Sequence, residues 1–300
     1  MIEAAINLLV SAQNPDGGWG WTKGQNSTTE CSSFALLALV SLNDDQQAIT
    51  IRRGLNWLAK RQNVDGSWSL SDSLTVGSWA TAMAMLVMDL WPEYEPQVIR
   101  AGKWVLEQKG NKPGFLANLL LALSFKKKPV MLNDDLIGWP WMAGTFSWVE
   151  PTSYFLIALK RIRRRLVGTN VDERIKQGES MIYDRMCDGG GWNYGNSVVY
   201  GEKLWLYADI TAVALIALQD RHDTRENRVS LVALQNALKT VTSGLALSWS
   251  VICYDIYGHD SGNLRKLLDS NFETTGFLGE TKSLALYILS LTGGAKYFRI

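Results

Sequence analysis

Apolar positions along the chain fall into two kinds of segment that alternate. The first kind is half-wet. In residues ~51–62, Leu55, Leu58 and Ala59 share one face at helical spacing, while Arg52, Arg53, Lys60 and Arg61 lie outside it. Stretches ~2–13, ~97–109, ~174–186 and, more weakly, ~228–242 read the same way. The second kind is apolar nearly all round: Phe34 to Leu42, Trp79 to Leu90, Phe115 to Phe125, Tyr154 to Ile162, Ile210 to Leu218, Ala246 to Tyr254 and Leu284 to Leu291. A helix without a wet face must be buried on all sides, so an amphipathic partner has to lie outside it. Alternation of the two around a ring predicts an all-α fold, an α/α toroid of about six helix pairs, as one domain over residues 1–300.

Between paired segments the chain repeats a turn. Gln13-Asn14-Pro15-Asp16-Gly17-Gly18-Trp19 returns as Gln62-Asn63-Val64-Asp65-Gly66-Ser67-Trp68, and without the glutamine as Cys187-Asp188-Gly189-Gly190-Gly191-Trp192. The first two glutamines are 49 residues apart, as are their tryptophans, a period typical of repeat architectures. Gln13, Trp19, Gln62, Trp68 and Trp192 are therefore assigned to the framework.

Aligning the apolar segments on their Ala-Leu pairs places Glu30, Glu150 and Asp209 at one equivalent position, and aligning Leu39 with Leu289 adds Glu280. These acids would cap and complement helix N-termini. Where those N-termini face one mouth of the ring, they would also line a ligand site. The pattern breaks at about 126–149, a tryptophan-rich insertion holding Asp134, Asp135, Trp139, Trp141 and Trp148 just before Glu150. A long loop without helical period is commonly functional. Trp139, Trp141 and Trp148 are candidate ligand contacts there, and Asp134, Asp135 and Glu150 candidate catalytic acids.

Net charge is +1, which excludes a global field for nucleic acid. The run Arg161, Arg163, Arg164 and Arg165 closes a helix, where cations complement the dipole, and offers a peripheral contact with anionic lipid. Three widely spaced cysteines, Cys31, Cys187 and Cys253, favour free thiols. With no positive n-region at the N-terminus and no ~18-residue apolar run, the expected location is cytoplasmic.

The Gln-…-Asp-Gly-Gly/Ser-Trp turn resembles the QW repeat of squalene and hopene cyclases, relatives of protein prenyltransferase β subunits and complement thioester domains. That resemblance implies a toroid with a central aromatic-lined cavity for an isoprenoid or other apolar lipid, its glutamines and tryptophans tying helices together. The Asp-x-Asp-Asp acid of those cyclases is missing; Asp134-Asp135 and Asn43-Asp44-Asp45 are the nearest pieces. The magnesium-binding Asp-Asp-x-x-Asp, the prenyltransferase zinc ligands and the thioester motif are missing as well, so neither a metal nor a cofactor is expected. Cys253, Asp255 and His259 offer ligand-type atoms within seven residues but read as packing and turn residues. Two other functions stay open: a glycan-active barrel using paired carboxylates, and a non-catalytic scaffold binding a protein partner.

Overall fold

A computed structural model of the chain describes residues 1–111, 133 and 135–300. Its helices are α1 (Ile2–Ser11), α2 (Thr29–Ser41), α3 (Ala48–Lys60), α4 (Ala80–Met88), α5 (Glu95–Glu107), α6 (Val149–Ile162), α7 (Val171–Asp184), α8 (Ala208–Ala217), α9 (Arg225–Ala237), α10 (Gly244–Tyr257), α11 (Gly262–Thr275) and α12 (Thr281–Leu291). Even-numbered helices pack in order, α2 on α4, then α6, α8, α10 and α12, and α12 returns to α2. The inner ring is closed, and odd-numbered helices surround it. The fold is an α/α toroid.

Burial follows the two sequence patterns. Every residue of α4 is buried, as is nearly all of α2, whereas α3 buries only Gly54, Leu55, Trp57 and Leu58. Six inner helices close the ring among the described residues; the seventh expected one, 115–125, lies outside them. Helix α11 escaped the sequence reading because its apolar side is thin, with only Leu268 and Phe272 buried. One short hairpin departs from the all-helical pattern: β1 (Val198–Val199) pairs antiparallel with β2 (Glu202–Lys203).

The repeated turns share one hydrogen-bond plan. The indole N–H of Trp19 donates to Leu9 O, Trp68 to Leu58 O and Trp192 to Ile182 O, at 2.8, 2.8 and 2.7 Å. The backbone N–H of each donates to an inner-helix hydroxyl: Ser32, Thr81 and Thr211. Each tryptophan thus pins the end of one outer helix to the next inner helix. Gln13 Nε2 bridges Gly17 O and Thr50 O, and Gln62 Nε2 bridges Gly66 O and Gln97 O. Gly17, Gly66 and Gly190, each two residues before its tryptophan, have φ of 99°, 95° and 102°. A Cβ at Gly17 would also lie 2.6 Å from Arg53 O, and at Gly66 2.7 Å from Arg100 O, so glycine is required for both reasons.

Trp139 follows the same plan. Its indole donates to Val105 O and its backbone N–H to Thr152 Oγ1, both at 2.8 Å. The expectation that Trp139 contacts ligand is therefore corrected: it is fully buried and is a fourth framework tryptophan. The insertion that hid it in the sequence separates it from Val105 by 34 residues, against 10 in the other three turns. Arg174 lies over its ring, 3.5 Å from the centroid, and donates to Gln108 O, Ile137 O and Gly138 O. The last turn carries its own insertion, the β1–β2 hairpin, which widens the spacing from tryptophan to hydroxyl from 13 to 19 residues.

Candidate functional site

The hydroxyl that receives each framework tryptophan fixes the register of the inner helices. Two residues before Ser32, Thr81, Thr152 and Thr211 stand Glu30, Trp79, Glu150 and Asp209. On α12 the side chain of Glu280 accepts from Lys282 N and Ser283 N, which makes it the helix N-cap, as Thr28 is on α2. Two residues beyond each cap come Glu30 and Lys282. The expectation that Glu280 shares the position of Glu30 is thus corrected: Lys282 occupies it. Ser243 caps α10, so Leu245 completes a ring of six: Glu30, Trp79, Glu150, Asp209, Leu245 and Lys282.

Helices α6 and α12 are opposite one another in the closed ring. Lys282 Nζ nevertheless lies 3.8 Å from Glu150 Oε1, and 2.8 Å from Glu30 Oε1 on its neighbour α2. Its side chain therefore crosses the hub like a spoke. Side-chain exposures of 11, 3 and 12% for Lys282, Glu30 and Glu150 place the trio out of bulk water. One turn below the ring, Phe34, Tyr154 and Trp249 project from alternate helices and meet, Phe34 to Trp249 at 5.9 Å and Tyr154 to Trp249 at 6.2 Å between ring centroids. Phe298 supports Trp249 from beneath at 5.2 Å. It is held at the C-terminal ends of the inner helices by Gln219 on its carbonyl, with Arg161 on the carbonyl of Tyr297. Lys282 Nζ lies 5.4 and 5.8 Å from the Phe34 and Tyr154 ring centres, a cation–π arrangement.

This geometry fixes the electrostatics. Burial raises the pKa of Glu150, against the opposing effects of Lys282 and of the Tyr154 hydroxyl, which donates to Glu150 Oε1 at 2.8 Å; Glu30 and Asp209 push it further up. Burial also raises Asp209. For Lys282 burial works downward, but Glu30, Tyr154 and Glu150 together outweigh it and hold the ammonium well above its ordinary value. Two carboxyl groups share one cation in a dry site, where burial favours the protonated form of Glu150.

Above this ring sits an aromatic rim. Tyr194 and Tyr207 face each other at 5.6 Å, and Trp148 packs beside Gly195. Trp205, 87% exposed, follows the hairpin, while Trp21 carries the carbonyl that receives Thr281 N. Trp141 packs edge-on against Trp79 of the ring at 4.9 Å, and its carbonyl accepts from Trp79 N. Asp135 is exposed in a turn beside Asn133, which bonds the end of α7, so it does not join Glu150. Asp134 lies outside the described residues. Among the described residues no three His, Cys, Asp or Glu side chains are grouped to hold a metal. Asp255 is engaged instead by Arg265 and Ser261, and burial raises the Cys253 thiol.

Part of the arginine run is committed to pairs within the protein, while Arg163 and Arg164 are exposed. Arg161 and Arg165 both pair with Asp89, and Arg163 with Asp172. Among the described residues no helix is long and apolar enough to cross a membrane.

Closed ring, framework tryptophans and acid-bearing mouth together define a terpene-cyclase-like α/α toroid. The model of the squalene-hopene cyclase C-terminal domain matches residues 1–78, which hold the first two repeat turns and Glu30. The squalene–hopene cyclase of Zymomonas mobilis is 33% identical over 79 residues, 22% of this chain and 12% of that protein. The lanosterol synthase of Candida albicans is 32% identical over 81 residues, 24% of this chain and 11% of that enzyme. The match thus spans only about a tenth of these relatives' length. In three dimensions the type II terpene cyclase MstE from Scytonema superposes with a TM-score of 0.61 over 99% of this chain and 98% of its own, at 14% identity. At that identity the likeness concerns the fold.

Proposed function

We propose that this toroid acts on an isoprenoid chain presented at its acid-bearing mouth, with Glu150 as the proton donor. One observation carries the reading: a buried carboxyl group, its pKa raised by burial, stands between an aromatic hub and an aromatic rim. An alkene is a poor base and needs a positioned acid. As the Glu150 proton passes to one alkene carbon, the C=C electron pair forms the new C–H bond and leaves the adjacent carbon cationic. The carboxylate that develops is then stabilised by Lys282 and the Tyr154 hydroxyl, both already in place. Phe34, Tyr154 and Trp249 fill the hub below, so the chain would enter end-on, its tail remaining among Trp148, Tyr194, Trp205 and Tyr207.

An arginine-to-alanine variant of MstE holds geranylgeranyl dihydroxybenzoate as its substrate, which supports a prenylated molecule as the class to test. An α-amylase from Clostridium perfringens shares the fold as well, with a TM-score of 0.63 and 10% identity. A glycan reading is less favoured because it needs two working carboxyl groups across an open cleft, and Glu30 is engaged by Lys282. The test is product analysis after incubation with squalene, geranylgeranylated aromatic acids, and α-glucan and α-mannan oligosaccharides. Cyclised prenyl product, reduced at least 100-fold in Glu150→Gln, is the expected result. Glycan cleavage, or no turnover and no ligand-induced thermal shift with any prenyl compound, would refute it.

A further inference from the structure

Lys282 faces two carboxyl groups, and the proton-donor reading uses only its contact with Glu150, leaving the pairing with Glu30 without a role. We propose that Glu30 and Lys282 are positioning residues that set the pH at which Glu150 holds its proton, because the carboxyl groups of Glu30 and Glu150 compete for the single Lys282 ammonium. This inference rests on Glu150 as the donor, yet its physical content can be measured without turnover. The groups facing Glu150 are few: Glu30 from α2, Tyr154 from its own helix, Asp209 from α8, Lys282 from α12 and Tyr194 from the rim. At the equivalent positions α4 and α10 offer only Trp79 and Leu245, which carry no charge. Lys282 is thus the one cation in the set, and it stands closer to Glu30, 2.8 Å, than to Glu150, 3.8 Å.

That inequality decides the division. With Glu30 holding the ammonium more closely and adding its own repulsion, Glu150 gains less from ionising than it would if Lys282 were its alone. Cancelling the Glu30 charge would release Lys282 to Glu150, whose ionised form would then be favoured. Removing both partners would take away the cation along with the weaker repulsion, leaving burial to dominate.

The experiment is an infrared pH titration of the protonated-carboxyl stretch assigned to Glu150 by its absence in Glu150→Gln. In Glu30→Gln the midpoint is expected to fall by about 1 to 3 pH units, the range an opposite charge at this distance commands. In the charge-neutral double variant Glu30→Gln/Lys282→Met it is expected to rise above that of the native protein. Midpoints that stay put in either variant, or move the opposite way, overturn the proposal. Titrations that move as expected, in a protein that makes no prenyl product, would keep this device and reject only the proton-donor reading. Where product does form, the alkaline limb of its pH–rate profile should follow the same order across the three proteins.

Discussion

Lys282→Met is expected to destabilise the protein by about 3–5 kcal/mol, because it strands the Glu30 carboxylate in a dry hub. The magnitude follows from geometry. Glu30 is 3% exposed and its ion pair with Lys282 is 2.8 Å long, so water cannot readily replace the lost cation. Denaturant titration would read the loss as a lower midpoint at unchanged slope. Adding Glu30→Gln should recover most of it, since removing both charges leaves a neutral and similarly shaped contact, which costs little or even stabilises. A single variant as stable as the native protein, or a double variant as unstable as the single, would mean that the spoke does not bear on Glu30.

Trp139→Ala carries a comparable expected loss, about 3–5 kcal/mol, for a different reason. The side chain is fully buried, donates to Val105 O and supports the Arg174 guanidinium, which in turn satisfies three carbonyls. Its removal should cost as much as Trp68→Ala, the matching residue of an uninterrupted turn. Trp205→Ala, on an 87% exposed side chain of the rim, should change stability by less than about 0.5 kcal/mol. Thermal and denaturant unfolding of the three variants would compare them directly. A near-neutral Trp139→Ala would return that residue to the group of ligand contacts.

The contrast between these tryptophans shows what was legible in the sequence. The ring could be read because burial leaves a plain mark: α2, α4 and α8 have no wet face, and only a closed inner wall removes every face from water. Glu30, Glu150 and Asp209 could be read from α2, α6 and α8, since an acid in the first turn of an apolar helix stands out. Lys282 could not. Matching Leu39 to Leu289 put Glu280 in the slot, two residues early, because leucine recurs too often in an apolar helix to fix register. The capping carboxylate of Glu280 fixes it, and a reading that matched N-caps, Thr28 to Glu280, would have found the lysine. Trp139 was obscured differently. A framework tryptophan is recognised by its distance from the preceding helix, and the insertion stretched that distance beyond the repeat.

Hub and mouth divide the functional surface. Below the six-residue ring the aromatic trio and Phe298 leave the centre occupied, so the proposed chemistry would lie at the level of Glu150 and above. This confinement makes the single lysine consequential, since any group reaching Glu150 also approaches Lys282 and the neutral pair it makes with Glu30.

Mass spectrometry of product formed in D2O tests the proton-donor claim most directly. With Glu150 reprotonated from solvent between turnovers, a cyclised prenyl product should carry one deuterium on the carbon protonated first, and Glu150→Gln should lower its yield at least 100-fold. A product of unchanged mass, or one that Glu150→Gln forms as readily as the native protein, would contradict the account.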